Sequence, residues 1–397
     1  MAGPLKGIKV LDLSRILAGP WSTQVLADYG AEVWKVEHPS KGDDTRHWGP
    51  PYVKDRQGKD SDQSAYFISA NRGKKSIALD ISTEEGQAAI KQLAIEADIF
   101  VENFKVGGLK KYSLDYSAIK AINPKIIYCS ITGFGQTGPM AINAGYDAMI
   151  QAMGGLMSIT GEPDNLPGGG PQKTGVAVAD LMTGMYATTA ILAALFHRTI
   201  TGIGQHIDLA LLDTQVAWLA NQASNFLVSG DVPTRLGTAH PNIVPYQAVK
   251  VKNGHLLLAV GNDRQFQKCC EILGCSEIGI DERYATNSLR VTNRKSLIPI
   301  LESYFQKQDL EYWLDKLSKA HVPCGPINTI DRVFENEQVK HREMSFNLTH
   351  PEIGNVPQVA NPVKFSETPI EYNQAPPSLG QHTNEILKQV DDLKTKS

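Results

Sequence analysis

The residue best suited to chemistry in this 397-residue chain is Asp180, which stands between a strand-like run, VAVA, and the strongly helical stretch LMTGMYATTAILAALFHR. The first turn of a helix carries unpaired N–H groups and the positive end of the helix dipole. A carboxylate there is expected to stay ionised and aimed. It can then attack a thioester carbonyl and become transiently acylated. Asp is equally a preferred helix N-cap, so the residue alone leaves nucleophile and cap both open. A second set of residues could hold the phosphates of a nucleotide-bearing ligand. His38, Arg46, Arg72, Lys74, Lys75, Lys105 and Lys111 all follow or flank apolar runs, and Lys110-Lys111 with Lys105 is the densest group. Each could equally be a solvated surface charge.

Other constellations are weaker. TGFGQTGP carries Gly133, Gly135 and Gly138 after a strand-like run, but it matches GxGxxG incompletely and has no Lys-Ser/Thr pair. The turn after the first apolar run reads SRILAGP, with one Gly, which argues against NAD. There is no HExxH and no GxSxG, the five cysteines (129, 269, 270, 275 and 324) form no CxxC, and no metal site is expected. The thiols are expected to be reduced, as in a cytoplasmic protein. A net charge of -3 gives no general attraction to nucleic acid or anionic membrane. No signal or transit segment is expected at the N-terminus, and no run of about 18 apolar residues is found, 185–196 coming nearest.

The elements that must position these residues come next. Apolar runs at 8–13, 32–37, 76–81, 98–102 and 126–132 are separated in part by helix-like stretches at 20–29, 83–96 and 115–122. This pattern predicts a doubly wound α/β domain with a parallel sheet, whose ligands sit beyond the carboxyl ends of the strands. A further helix fits 209–228. Two strands joined at Lys252-Asn253-Gly254, then helices at 264–273, 292–306 and 309–319, predict a smaller α+β domain at 230–328. The expected division is 1–229, 230–328 and a C-terminal segment, 329–397.

Several phrases taken together resemble the class III (CaiB/BaiF-type) CoA-transferases over essentially the whole chain. They are PLKGIKVLDLS, LADYGAEVWKVEHPSKGDDTR, NRGKKSIALDI, ADIFVENF, INPKIIYCSITGFGQTGP, GYDA, ADLMTG, TGIGQHIDLAL and PPSLGQHT. GDDTRHWGPPYV and RLGTAHPNIVPYQA carry a narrower likeness to the branch that exchanges CoA between succinyl-CoA and glutarate-like dicarboxylates. The resemblance implies a large domain built from both chain ends, a small domain and an interlocked homodimer. It implies Asp180 as catalytic nucleophile and a CoA thioester as substrate, with no tightly bound cofactor. It also implies a CoA site at Leu17, Ala18, His38, Leu79, Asn103, Phe104, Lys105 and Lys111, with Tyr146 and Asp147 beside the thioester. The chain departs from the family in three places. His38 stands where Arg is common, Lys105-Val106 follows VENF, and GTAHPNI replaces a glycine run. Related α-methylacyl-CoA racemases carry a His-Asp pair where this chain has Tyr146-Asp147. A racemase-like enzyme and a non-catalytic acyl-CoA-binding protein remain the alternatives.

Overall fold

Six short strands rich in Val, Ile, Leu and Phe pair in parallel: β1 (Lys9–Asp12), β2 (Glu32–Glu37), β3 (Lys74–Ala78), β4 (Ile99–Glu102), β5 (Ile127–Thr132) and β6 (His206–Ala210). The computed structural model describes residues 3–394. The sheet order is β3-β2-β1-β4-β5-β6. The chain thus starts in the middle, runs to one edge and crosses back, which puts a topological switch point between β1 and β4. Side chains are buried on both faces, as a parallel sheet covered by helices requires. The strands expected from the apolar runs are present, with β3 starting two residues earlier and ending three residues earlier than expected. The sixth was not foreseen, because QHIDLA mixes polar and apolar residues.

Four helices matter for the site: α1 (Ala18–Asp28), α2 (Tyr116–Ile122), α3 (Asp147–Met153) and α4 (Val178–Thr201). The run VAVA before Asp180 is not a strand. Val178 and Ala179 are already helical, and α4 begins there. The expected helix at 209–228 is instead the end of β6 followed by two helices, Leu211–Ala217 and Ala220–Ser229. By length and composition alone α4 could cross a membrane, contrary to the expectation of no such run, but half of its apolar window is buried within the protein. It packs along α1, where Gly184 lets the two helices meet. A Cβ on Gly184 would lie 2.7 Å from the Ala18 carbonyl oxygen and 3.1 Å from the Trp21 ring.

The chain divides into two units. The first takes residues 1–155, 175–218 and 337–397, the second 156–174 and 219–336. The expected boundaries at 229/230 and 328/329 therefore fall inside the second unit, which also takes in the Gly/Pro-rich loop before α4. That second unit contains an antiparallel three-stranded sheet, β7 (Tyr246–Val251), β8 (Gly254–Ala259) and β9 (Cys324–Pro326), in the order β9-β8-β7. It closes around its own core of Leu256, Phe266, Leu301, Phe305 and Trp313. In the first unit the phrase PPSLGQHT joins the β3 edge. The Gly380 N–H donates to Ser76 Oγ at 2.8 Å, the His382 N–H to the Ser76 carbonyl at 2.9 Å, and the Ala78 N–H to Thr383 Oγ1 at 2.9 Å.

Candidate active site

The strand order brings the carboxyl ends of β1 and β4 side by side, and one side chain ties them together. Asn103 accepts the Arg15 N–H at 2.9 Å and donates to the Arg15 carbonyl at 2.7 Å. The β1–α1 loop is also held from below. The Lys35 ammonium, wholly buried, donates to the Ser14 carbonyl at 3.0 Å and to Asp43 at 2.8 Å. Burial works against its charge, but the carboxylates of Asp43, Asp12 and Glu37 hold its pKa above the ordinary lysine value. Asp43 also receives the N–H of Ile16, a β-branched residue in the left-handed region with φ 72°. Such a conformation stores about 1–3 kcal/mol and persists only where its surroundings enforce it.

Above these loops opens a cavity of about 520 Å³. Its lining includes Arg15, Leu17, Ala18, Asn103, Phe104, Lys105, Lys111, Gly133, Tyr146, Asp147 and Asp180. Nine of the eleven sequence-predicted site residues meet there. The other two, His38 and Leu79, line an adjoining cavity of about 160 Å³, which shares Arg15, Ile81 and Phe104 with the first. Both cavities lie at the carboxyl edge of the sheet.

The remaining cationic candidates are engaged inside the protein. Arg46 forks onto Glu37, with both bonds 2.7 Å, and Arg72 onto Asp28 at 2.8 and 2.6 Å. Lys74 is buried between Asp12 at 3.3 Å, Asn71 and the Pro20 carbonyl. Lys75 pairs with Glu32 and Glu385. Sequence alone cannot separate an internal ion pair from a phosphate ligand when both use a Lys or Arg flanking a strand.

Asp180 occupies the third helical position of α4, and the N-cap is Ala177, which makes no side-chain capping bond. The cap comes from another element. Asp147, the first residue of α3, accepts the Ala179 N–H at 2.8 Å and the Asp180 N–H at 3.3 Å through Oδ1, while Gln151 donates to its Oδ2 at 2.7 Å. The expected N-cap role for Asp180 is therefore replaced by one for Asp147. A pair of glycines delivers Asp147 to this place. A Cβ on Gly133 would lie 2.6 Å from the Gly145 Cα, so the loop after β5 and the approach to Tyr146-Asp147 can touch only as Gly against Gly.

Burial, and then the charge of Asp147, push the Asp180 carboxyl up to about 7. This corrects the expectation that the helix terminus keeps it firmly ionised: the N–H groups that would do so are turned to Asp147. The result is a carboxylate that is more basic, and hence more nucleophilic, than an ordinary aspartate. Tyr66 feels the same pair. Burial, then the carboxylates of Asp180, Asp147 and Asp43, raise its phenol to about 12. It stands edge-on to Trp48 with ring centroids 5.1 Å apart. Tyr66 lies in none of the quoted phrases, while Trp48 lies within GDDTRHWGPPYV and Arg15 within SRILAGP without standing out there as a site residue. Among the described residues no group of three His, Cys, Asp or Glu side chains is placed to hold a metal ion.

The model of CoA-transferase family III matches residues 5–383. The chain belongs to that family. A relative named succinate–glutarate CoA-transferase, from Agrobacterium fabrum, is 50% identical over 98% of this chain and 96% of its own. The human succinyl-CoA:glutarate CoA-transferase is 47% identical over 98% of this chain and 86% of its own. A crystal structure of a CAIB/BAIF family protein from Brucella suis superposes with a TM-score of 0.85 at 50% identity, covering 98% of this chain and all of that one. As a family III transferase the protein is an enzyme acting on CoA thioesters.

Proposed function

We propose that this family III enzyme carries CoA from succinyl-CoA to glutarate or a related dicarboxylate, with Asp180 as the nucleophile. The observation that carries the reading is a half-buried carboxylate of raised basicity, opening into a cavity that loops from β1 and β4 surround with cationic and backbone groups. The names of the relatives at 50% and 47% identity support the acid pair.

In the proposed sequence the Asp180 carboxylate attacks the acyl carbon of the donor thioester, forming a mixed anhydride as the C–S bond breaks and CoA thiolate leaves. The thiolate attacks the aspartyl carbonyl, freeing the donor acid and leaving an aspartyl-CoA thioester. The acceptor carboxylate attacks that carbonyl, releasing thiolate again and forming a second anhydride. Attack of thiolate on the acceptor acyl carbon then yields the new acyl-CoA and restores Asp180. Leu17, Ala18, Asn103, Phe104, Lys105 and Lys111 would hold CoA at the strand ends, with His38 and Leu79 around its far end. Tyr146 and Asp147 would flank the reacting thioester.

Two further readings go with this one. The enzyme works as an interlocked homodimer, which the family resemblance supports together with exposed apolar side chains such as Phe196 and Ile200 on α4 and Leu227 and Val228 in the second unit. The five free thiols fit a reducing compartment, read here as the cytoplasm.

The test is a panel of carboxylic acids assayed with succinyl-CoA, followed by mass spectrometry of the peptide bearing Asp180 after a hydroxylamine quench. Transfer to glutarate and a hydroxamate on Asp180 are expected, and both vanish in Asp180→Asn. Turnover retained by that variant, or exchange of an α proton without acid transfer, rules the mechanism out. Sedimentation at micromolar concentration reads the dimer directly.

A further inference from the structure

Behind the CoA-facing loop lies a second polar cluster that the transfer chemistry leaves unused. Glu102, the last residue of β4, is buried, and its carboxyl accepts the Phe104 N–H at 2.8 Å. It also bonds Ser130, its direct partner across β4 and β5. Ser130 Oγ lies 2.9 Å from His206 Nε2, on the neighbouring strand. The His206 ring is clamped, stacked on Tyr116 at 4.7 Å and edge-on to Tyr128 at 5.6 Å. The cluster faces a separate cavity of about 310 Å³, whose lining adds Lys105, Lys110 and Asp115.

We propose that Glu102 is a positioning residue for CoA binding: supported by Ser130 and His206, it fixes the Phe104 amide and so sets the loop Asn103–Lys105. The inference rests on the reading of that loop as part of the CoA site. The geometry admits a fully satisfied neutral chain. A protonated Glu102 keeps one oxygen for the Phe104 N–H and donates its O–H to Ser130, which donates to the unprotonated Nε2 of His206. The electrostatics agree with it. Burial, only partly offset by Ser130 and the Phe104 N–H, raises Glu102 to about 7. Burial also lowers the His206 pKa, against the attraction of Asp208. Glu102 thus works as a hydrogen-bonding group, and its charge is dispensable.

That distinction makes the inference testable. Glu102→Met keeps volume but offers the Phe104 N–H no acceptor. Its KM for succinyl-CoA should rise about tenfold, with kcat held to within about twofold. Hydroxylamine trapping at Asp180 should be unchanged at saturating donor. Glu102→Gln, which can accept from Phe104 and donate to Ser130, should restore the wild-type KM. A Glu102→Met KM equal to wild type, or a Glu102→Gln variant as impaired as Glu102→Met, overturns the proposal. If Glu102→Met does not fold, Ser130→Ala carries the test: a KM raised about threefold supports the brace and an unchanged KM overturns it. Failure of the nucleophile reading is seen separately, as absence of the Asp180 hydroxamate in the wild-type enzyme.

Discussion

Asp147 caps the helix on which Asp180 stands, taking the Asp180 N–H at 3.3 Å and the Ala179 N–H at 2.8 Å. One acidic residue thereby uses the helix-terminal donors that would otherwise quiet the other. Its charge then adds to burial in raising Asp180. The arrangement keeps two carboxylates close, one serving structure and the other available for attack.

The pH profile should reveal the pairing. In the proposed mechanism only ionised Asp180 attacks, so kcat/KM should climb with pH through a midpoint near 7, set by the carboxyl at about 7. Asp147→Asn keeps an oxygen for capping and removes the charge, so the rising limb should move to lower pH. Asp147→Ala also loses the cap, which should lower stability by about 1–2 kcal/mol in a denaturant titration.

Asp180 should weaken the fold that holds it. Between the ordinary aspartate value and about 7 the folded chain retains a proton that the unfolded chain has released. Stability from this group therefore falls as pH rises across that window, and the deficit is complete above it. Asp180→Asn escapes the penalty. At pH 8 it should be more stable than wild type by roughly 1–3 kcal/mol, with the difference closing below about pH 4, while transfer is lost. Melting curves at the two pH values measure this.

Gly184→Ala should displace Asp180, the proposed nucleophile, without touching it. The added methyl meets the Ala18 carbonyl at 2.7 Å and Trp21 at 3.1 Å, so α1 and α4 must part. A loss of about 1–3 kcal/mol is expected by thermal unfolding, together with a fall in kcat.

Lys35→Met should be the most damaging of these changes. It leaves the buried Asp43 carboxylate without its cation and the Ser14 carbonyl without its donor. Breaking a buried pair from one side destabilises by about 3–5 kcal/mol. Material that still folds should show a raised KM for acyl-CoA, because the β1–α1 loop loses its support.

Much of this was readable in advance, and the exceptions have physical causes. Mostly apolar runs mark β1, β2, β4 and β5 because a strand buried on both faces is largely apolar, even where it carries a paired buried charge such as Lys35. β6 escapes notice because His206 and Asp208 serve polar groups, the Ser130 hydroxyl on β5 and the Gln136 N–H in the loop beyond it. Asp180 stands out by its place before a long helix, yet its cap cannot be read from its surroundings in sequence, since Asp147 lies 33 residues away. Arg46, Arg72 and Lys74 looked like phosphate ligands because their acidic partners approach only when the sheet forms. Tyr66 comes near enough to feel Asp180 and Asp147 through no pattern of spacing at all.

The latch between PPSLGQHT and β3 bears on how the molecule is assembled. Ser76 and Ala78 receive their outer partners from residues more than three hundred positions further along. Until that segment has been synthesised, the flank of β3 offers unpaired backbone groups, an open template for strand-to-strand aggregation. Chains cut short before residue 380 should therefore accumulate as insoluble material rather than as a smaller working enzyme, which makes the integrity of the last segment a condition for everything that happens at the carboxyl edge of the sheet.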